Sequence, residues 1–378
     1  MIAVESVPLK VLHVMGGLDA GGSETLVLNY MRALSPSGVK FDFVKHVSHV
    51  GIYEEEIKSL GGSIIEAPRF KVLNYRSYAK WWDNFFSSHN GYDIVHGHMR
   101  STASVYLGIA KRYGCATVAH SHAVSDEQGV SALVKTRMYK GISSVSDARL
   151  ACSKKAGEWL FGPDFLQKCN DAVLPNAINT ASFAFCKSAR EEIRQNLSID
   201  DGTFLYGHVG RFVPQKNHSF LIDVFASIYE SNPNTALILV GDGPDRGSIE
   251  NLINCRGLAN CVHLVGQQMD IGRFYSAMDA LLLTSPAEGF GNVLIEGQTS
   301  GLPCLASTGV PISTNVLGQV QYIPLSDGVY AWRDASLGLV DCRPDESTRV
   351  EFSRKMQAGE YEIGNTAAQL ITLYQRLV

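Results

Sequence analysis

No stretch of this 378-residue chain approaches the run of roughly 20 apolar residues that spans a bilayer, which excludes a membrane helix. The opening "MIAVESVPLK" lacks a positive segment followed by an apolar core, so it is not expected to act as a secretory signal. Basic charge is not in excess: 33 Lys and Arg against 37 Asp and Glu leave −4, too little for a nucleic-acid surface. The eight cysteines form no C-x-x-C pair and no dense spacing. That argues against a disulfide framework or structural zinc, and for reduced thiols in a cytoplasmic protein. Short-period repeats and low-complexity segments are also missing. What remains is a globular composition, 45% hydrophobic and 19% charged, with length for two ordinary domains.

Short apolar runs alternate with amphipathic stretches from end to end. In the first half, residues 10–16, 41–47, 93–98, 116–122, 148–153 and 171–176 read as strands, several of them apolar throughout, as parallel strands covered on both faces should be. Val27, Tyr30, Met31 and Leu34 follow Ser23, a plausible helix N-cap. The scheme restarts with strands at 203–212, 235–243, 261–266, 280–285 and 303–308, and a helix at 217–233. The polar stretch 185–203 reads as a linker helix and turn. The expected fold is α/β, with two doubly wound, Rossmann-like parallel-sheet domains facing across a cleft. Their expected limits are 1–185 on the acceptor side and 186–362 on the donor side, with a C-terminal helix, 363–378, returning to the first. Ligands of such sheets bind beyond the carboxyl ends of the strands.

Three constellations fall at such ends. In "HVMGGLDAGGSET" a strand meets two Gly pairs and a helix start, so Gly16 and Gly17 allow close approach of a ligand, against the plain alternative of a flexible turn. The stretch is not G-x-G-x-x-G, and no acidic residue ends a second strand at the distance a dinucleotide site needs. In "VGRFVPQKNH" a strand runs into Arg211 and Lys216, a fixed fork and a mobile point charge for phosphate oxygens. In "SPAEGFGNVLIEGQ" a helix opens near Phe290, Gly291 and Asn292, with Glu288 at its mouth and Glu296 inside it. Alone, Glu288 reads as a capping acid and Glu296 as a solvated helix charge. Together with the basic pair they describe a diphosphate flanked by sugars.

The E-x7-E segment "EGFGNVLIE", with "VGRFVPQKN", "LVGDGP", "SGLPCLAS", "GGLDAGGSE", "HSH" and "LPNAIN", resembles the retaining glycosyltransferases of family 4, which have the GT-B fold. "ARLACSKKAGEWLFG" is similar to the branch that makes bacterial exopolysaccharide and capsule. The resemblance implies that Arg211 and Lys216 bind the donor diphosphate, aided by the amides of Phe290, Gly291 and Asn292. It places Glu288 on the transferred sugar, Glu296 on the nucleotide ribose, and Gly16, Gly17, Gly241, Gly266 and Gln267 around the donor. Transfer with retention, by return on the donor's own face, rests on positioning and charge stabilisation. The chain contains no D-x-D to hold a divalent ion on a diphosphate, so a metal-free reaction without cofactor is expected.

Among the histidines, His122 is the first candidate for orienting the transferred sugar and His120 the second; they are two apart and share a face. Relatives often carry Asp after this histidine, where Ala123 stands here, and Gly and Asp within the segment that reads "PNAIN" here. For His96 and His98, core packing and acceptor contacts are equally open, and a metal-ligand role for H-x-H ranks below both. Residues 69–86 mix Arg69, Lys71, Arg76 and Lys80 with Tyr75, Tyr78, Trp81, Trp82, Phe85 and Phe86. They suit either a membrane interface near a lipid-linked acceptor or a helix packed on the sheet. "VKTRMYKG", 134–141, is a second basic patch. The expected partners are a nucleotide sugar, UDP-hexose first, and a lipid-linked or growing saccharide, with no nucleic acid. A sugar-nucleotide 2-epimerase and a non-catalytic nucleotide-sugar-binding subunit are the alternatives. The first would need a further acid/base pair, and the second would be free to lose one of the four charged residues.

Overall fold

Strands that are apolar on both faces need helices on both, and each half of the chain supplies them. The computed structural model describes residues 9–19, 21–122, 138–139 and 141–378. They divide into two units, one running up to Ile178 and resuming with Ile363–Val378, the other Asn179–Glu362.

The first unit holds β1 (Lys10–Val14), β2 (Lys40–Lys45), β3 (Ile64–Glu66), β4 (Ile94–Gly97), β5 (Ala116–Ser121), β6 (Ala148–Ala151) and β7 (Asp171–Val173). Their order in the sheet is β3-β2-β1-β4-β5-β6-β7, every pairing parallel. Alternation along β1 divides the core. Leu12 and Val14 pack with Tyr78, Trp82 and Phe86 on one face, and Val11 packs with Leu26, Leu370 and Tyr374 on the other. The last helix, Ile363–Leu377, buries Ile363, Ala367, Leu370, Leu373 and Tyr374 at helical spacing against that second face.

The second unit holds β8 (Phe204–Val209), β9 (Thr235–Val240), β10 (Val262–Gly266), β11 (Ala280–Leu283), β12 (Cys304–Ser307) and β13 (Val320–Ile323), in the order β10-β9-β8-β11-β12-β13 and again all parallel. In each sheet the direction of strand order reverses once, between β1 and β4 and between β8 and β11. Those reversals are where neighbouring crossovers go to opposite faces and leave a crevice at the strand ends. No helix among the described residues is long and apolar enough to cross a membrane.

Several expectations need correcting. Residues 179–185 belong to the second unit, so the break falls before 185: Phe183 packs on Tyr275, and Gly272 has no β-carbon because the Ser182 carbonyl occupies that space. The polar stretch after 185 is no linker. Its helix, Lys187–Asn196, is fixed to the second sheet by Arg190 and Arg194, which both reach Asp279. Ser23 is not the N-cap of the Gly22–Leu34 helix; Gly21 is, and Ser23 donates to Glu24 Oε2 at 2.8 Å. Strands β3 and β13 were not expected, and both are short sheet edges with partly exposed residues and no apolar run. In residues 69–86 the alternative of a helix packed on the sheet is borne out: Tyr78, Trp82, Phe85 and Phe86 are buried and Trp81 is half-buried, whereas Tyr75, Arg69, Lys71, Arg76 and Lys80 are exposed. Most of the patch at 134–141 lies outside the described residues.

Candidate active site

In the second unit the charged candidates gather at the ends of β8 and β11. After Val209, Gly210 leads to Arg211 and to a short turn, Pro214–Lys216, closed by Asn217 in the left-handed region at φ 55°. Thr284, directly after β11, donates its hydroxyl to the carbonyls of Lys216 (3.2 Å) and Asn217 (3.3 Å). The Gln215 amide donates to the Ala287 carbonyl at 3.1 Å. These ties bring two loops together, and Lys216 Nζ meets Glu288 Oε1 at 2.5 Å with both side chains largely buried. Arg211 stays exposed and its side chain has no partner among the described residues.

The Asn292–Thr299 helix starts from Gly291, whose φ of 92° is left-handed and whose β-carbon would sit 2.9 Å from Val310 Cγ1. No described residue accepts a hydrogen bond from the amides of Gly289, Phe290, Gly291, Asn292 or Val293, so this end of the helix presents free donors and a positive dipole end. Phe290 is buried against the Tyr361 ring, and the Asn292 side-chain oxygen is buried without a partner. One turn on, Glu296 accepts a hydrogen bond from Tyr275 Oη at 2.6 Å. Burial raises its pKa, while the Tyr275 hydrogen bond and the Lys216 charge oppose the rise. Glu296 is therefore not the solvated helix charge that it would be alone. Gly241 and Gly266 stand side by side, joined by a 2.9 Å backbone hydrogen bond, and a β-carbon on Gly241 would strike the Gly210 carbonyl. Gln267 is exposed beside them.

His208 and His218 lie beneath this group. Burial lowers them to about 4 and about 3, so they are neutral at pH 7 and the positive charge rests on Arg211 and Lys216.

In the first unit, Gly16 and Gly17 follow β1. Nothing lies within 4 Å of where a Gly16 β-carbon would be, and neither amide has an acceptor among the described residues. Beside them the sheet carries five histidines on one face: His13 on β1, His96 on β4 with His98 just beyond it, and His120 on β5 with His122 just beyond it. His13 and His96 are in register. His120 is buried to 1% exposure and neither ring nitrogen has a partner among the described residues; His122 is partly exposed at the strand end.

Residues 20–182 match the family description "Glycosyltransferase Family 4", and residues 189–321 match "Glycosyl transferases group 1". The putative glycosyltransferase EpsF of Bacillus subtilis (strain 168) is 32% identical over 333 residues, 86% of this chain and 86% of that protein. The chain belongs to the family 4 glycosyltransferases. An Escherichia coli relative, UDP-Gal:alpha-D-GlcNAc-diphosphoundecaprenol alpha-1,3-galactosyltransferase, is 27% identical over 224 residues, 57% of this chain and 58% of that one. Anabaena Alr3699/HepE, solved with UDP and glucose, superposes with a TM-score of 0.76 at 18% identity, covering 97% of this chain and 100% of its own. WaaG, a glycosyltransferase involved in lipopolysaccharide biosynthesis, gives 0.68 at 18% identity, covering 96% and 99%. These neighbours share the GT-B fold.

Tyr275, the partner of Glu296, was not found by sequence reasoning in this family 4 glycosyltransferase. It lies on a different helix, 21 residues earlier, with no motif around it. His13 was also missed. Only its parallel register with His96 places it in the row, and register between strands far apart in sequence leaves no local signal.

Proposed function

We propose that the chain is a retaining hexosyltransferase that moves a sugar from a nucleotide diphosphate, UDP-linked, to a lipid-linked or growing saccharide in exopolysaccharide synthesis at the cytoplasmic face of the membrane. The observation that carries the reading is the grouping at the β8–β11 switch point: an unpartnered guanidinium, an ammonium tied to Glu288, a helix start with free amides, and Glu296 one turn further on. Arg211, Lys216 and those amides suit a pyrophosphate whose charge grows as the sugar–oxygen bond breaks. The acceptor hydroxyl bonds to the anomeric carbon on the face the diphosphate leaves, and its proton passes to the departing phosphate oxygen. Glu288 would hold sugar hydroxyls once the diphosphate draws Lys216 towards itself, and Glu296 would hold the ribose.

The donor assignment is supported by the names of two proteins similar to this one, HepE with UDP and glucose and the Escherichia coli transferase that uses UDP-Gal on a diphosphoundecaprenol acceptor. The exopolysaccharide setting rests on the resemblance of "ARLACSKKAGEWLFG" to that branch. For a lipid-linked acceptor the exposed Arg69, Lys71, Arg76 and Lys80, with Leu73 and Tyr75 exposed among them, offer contact with an anionic membrane surface.

A screen of nucleotide sugars, read by release of free nucleotide, tests the proposal. UDP-hexose should be turned over, and Arg211→Ala and Lys216→Ala should each lower the rate by roughly 10²–10³. Activity should survive EDTA. Near-normal rates in both variants, or EDTA inactivation restored by Mg²⁺, would overturn it.

A further inference from the structure

His98, His120 and His122 bring one ring nitrogen each to within 4.8 Å of the others. His98 Nδ1 and His122 Nε2 are 2.8 Å apart, and the His120 and His122 ring centres are separated by 4.1 Å. Two imidazole lone pairs do not face each other at that distance, so either a proton or a cation lies between them. Protons alone satisfy part of the cluster. A proton shared by His98 and His122 leaves His120, buried to 1%, with an orphan N–H and an orphan lone pair among the described residues in either tautomer. Such buried groups cost stability when unmade.

We infer that His98 Nδ1, His122 Nε2 and a nitrogen of His120 form a binding site for a zinc-like transition-metal cation, held in the first unit and separate from the diphosphate-binding loops. An ion in place of the shared proton also takes a lone pair of His120. The outer contacts agree. With Nδ1 on the metal, His98 carries its proton on Nε2 and donates it to His13 Nδ1, 2.9 Å away. With Nε2 on the metal, His122 carries its proton on Nδ1, near the Asn176 side chain; that nitrogen and the Asn176 oxygen are both buried with no partner among the described residues. Metal-bound histidines are commonly oriented by such contacts from their second nitrogen. Tetrahedral zinc–nitrogen bonds of about 2.0–2.1 Å set ligand nitrogens roughly 3.3 Å apart, so the 2.8 Å pair opens by about half an ångström and the nitrogens further apart, within 4.8 Å, draw in.

The ligand set selects the metal. Three imidazoles with no carboxylate suit zinc, cobalt, nickel or copper, whereas magnesium, calcium and manganese prefer oxygen. Three protein ligands leave a fourth position for water or a ligand oxygen. The eight cysteines take no part, since zinc here is read from histidines that the cysteine spacing says nothing about.

The test is independent of the transferase reading because it measures metal and not turnover. Full-length protein without a histidine tag should carry about one zinc per chain after dialysis against metal-free buffer. After stripping with dipicolinate, added Co²⁺ should give visible ligand-field bands, and added Zn²⁺ should raise the melting temperature. His120→Asn should abolish the bands while keeping the wild-type circular dichroism; if that variant does not fold, the wild-type metal content and Co²⁺ spectrum decide alone. Wild-type protein with no bound metal, no cobalt bands and no shift with Zn²⁺ would overturn the inference.

Discussion

Glu296 sits where burial and its proposed role on the ribose pull in opposite directions. Its carboxylate is held by Tyr275 and drawn on by the Lys216 charge, yet burial dominates and raises its pKa. An acid whose folded pKa lies above its unfolded value favours folding below the unfolded pKa, and that contribution is lost as pH rises through the folded pKa. At neutral pH the charge therefore costs stability. Glu296→Gln keeps an acceptor for Tyr275 without the charge. It is expected to raise the melting temperature at pH 7.5 by about 2–4 °C, the response of a domain this size to ~1 kcal/mol, and to raise the donor KM. Calorimetry beside steady-state kinetics checks both; a variant that melts lower at pH 7.5 would remove the argument. The site was legible at this scale where the chemistry is written in adjacent residues: "EGFGNVLIE" and "RFVPQK" each carry charge, glycine and spacing together. Tyr275 and His13 were not, because each acts through a tertiary neighbour.

Elements were legible wherever both faces of a strand are buried, and least so at the sheet edges β3 and β13. The Tyr75–Ser88 helix is an instructive middle case. The 3–4 spacing of Tyr78, Trp82, Phe85 and Phe86 gives an amphipathic helix from sequence alone, but which surface its aromatics meet depends on the sheet beneath. They pack with Leu12, Val14 and Tyr106, leaving Arg76 and Lys80 outward beside Leu73, which is fully exposed. Membrane contact through this element thus rests on charge and two exposed apolar side chains, not on the aromatic row. Each basic residue near an anionic surface contributes ~1 kcal/mol. Lys80→Glu should therefore lower co-flotation with phosphatidylserine vesicles at least about fivefold, and raised salt should weaken wild-type binding. Equal recovery of both proteins at low salt would dismiss the contact.

Across the whole chain, two units with the same strand-order reversal bury nine of the eleven histidines wholly or in part, leaving His49 and His89 exposed. Burial lowers His13 to about 3, His122 to about 4, His208 to about 4 and His218 to about 3, and lowers His46, His96, His98, His120 and His263 as well. A histidine with a depressed folded pKa supports folding fully above its unfolded value, 6.5, and that support is lost as pH falls towards the folded value. Both units should lose stability over the same interval, the first more steeply because it holds the five-histidine row and His46 against His208, His218 and His263 in the second. Most carboxylates titrate lower, near 4, so a fall that begins just below pH 6.5 belongs to the imidazoles. Urea midpoints measured from pH 7.5 to 4.5 should drop continuously from about pH 6 downward. A midpoint that stays flat to pH 5 would mean that the histidines are already protonated in the folded chain, and the buried neutral row would then be wrong.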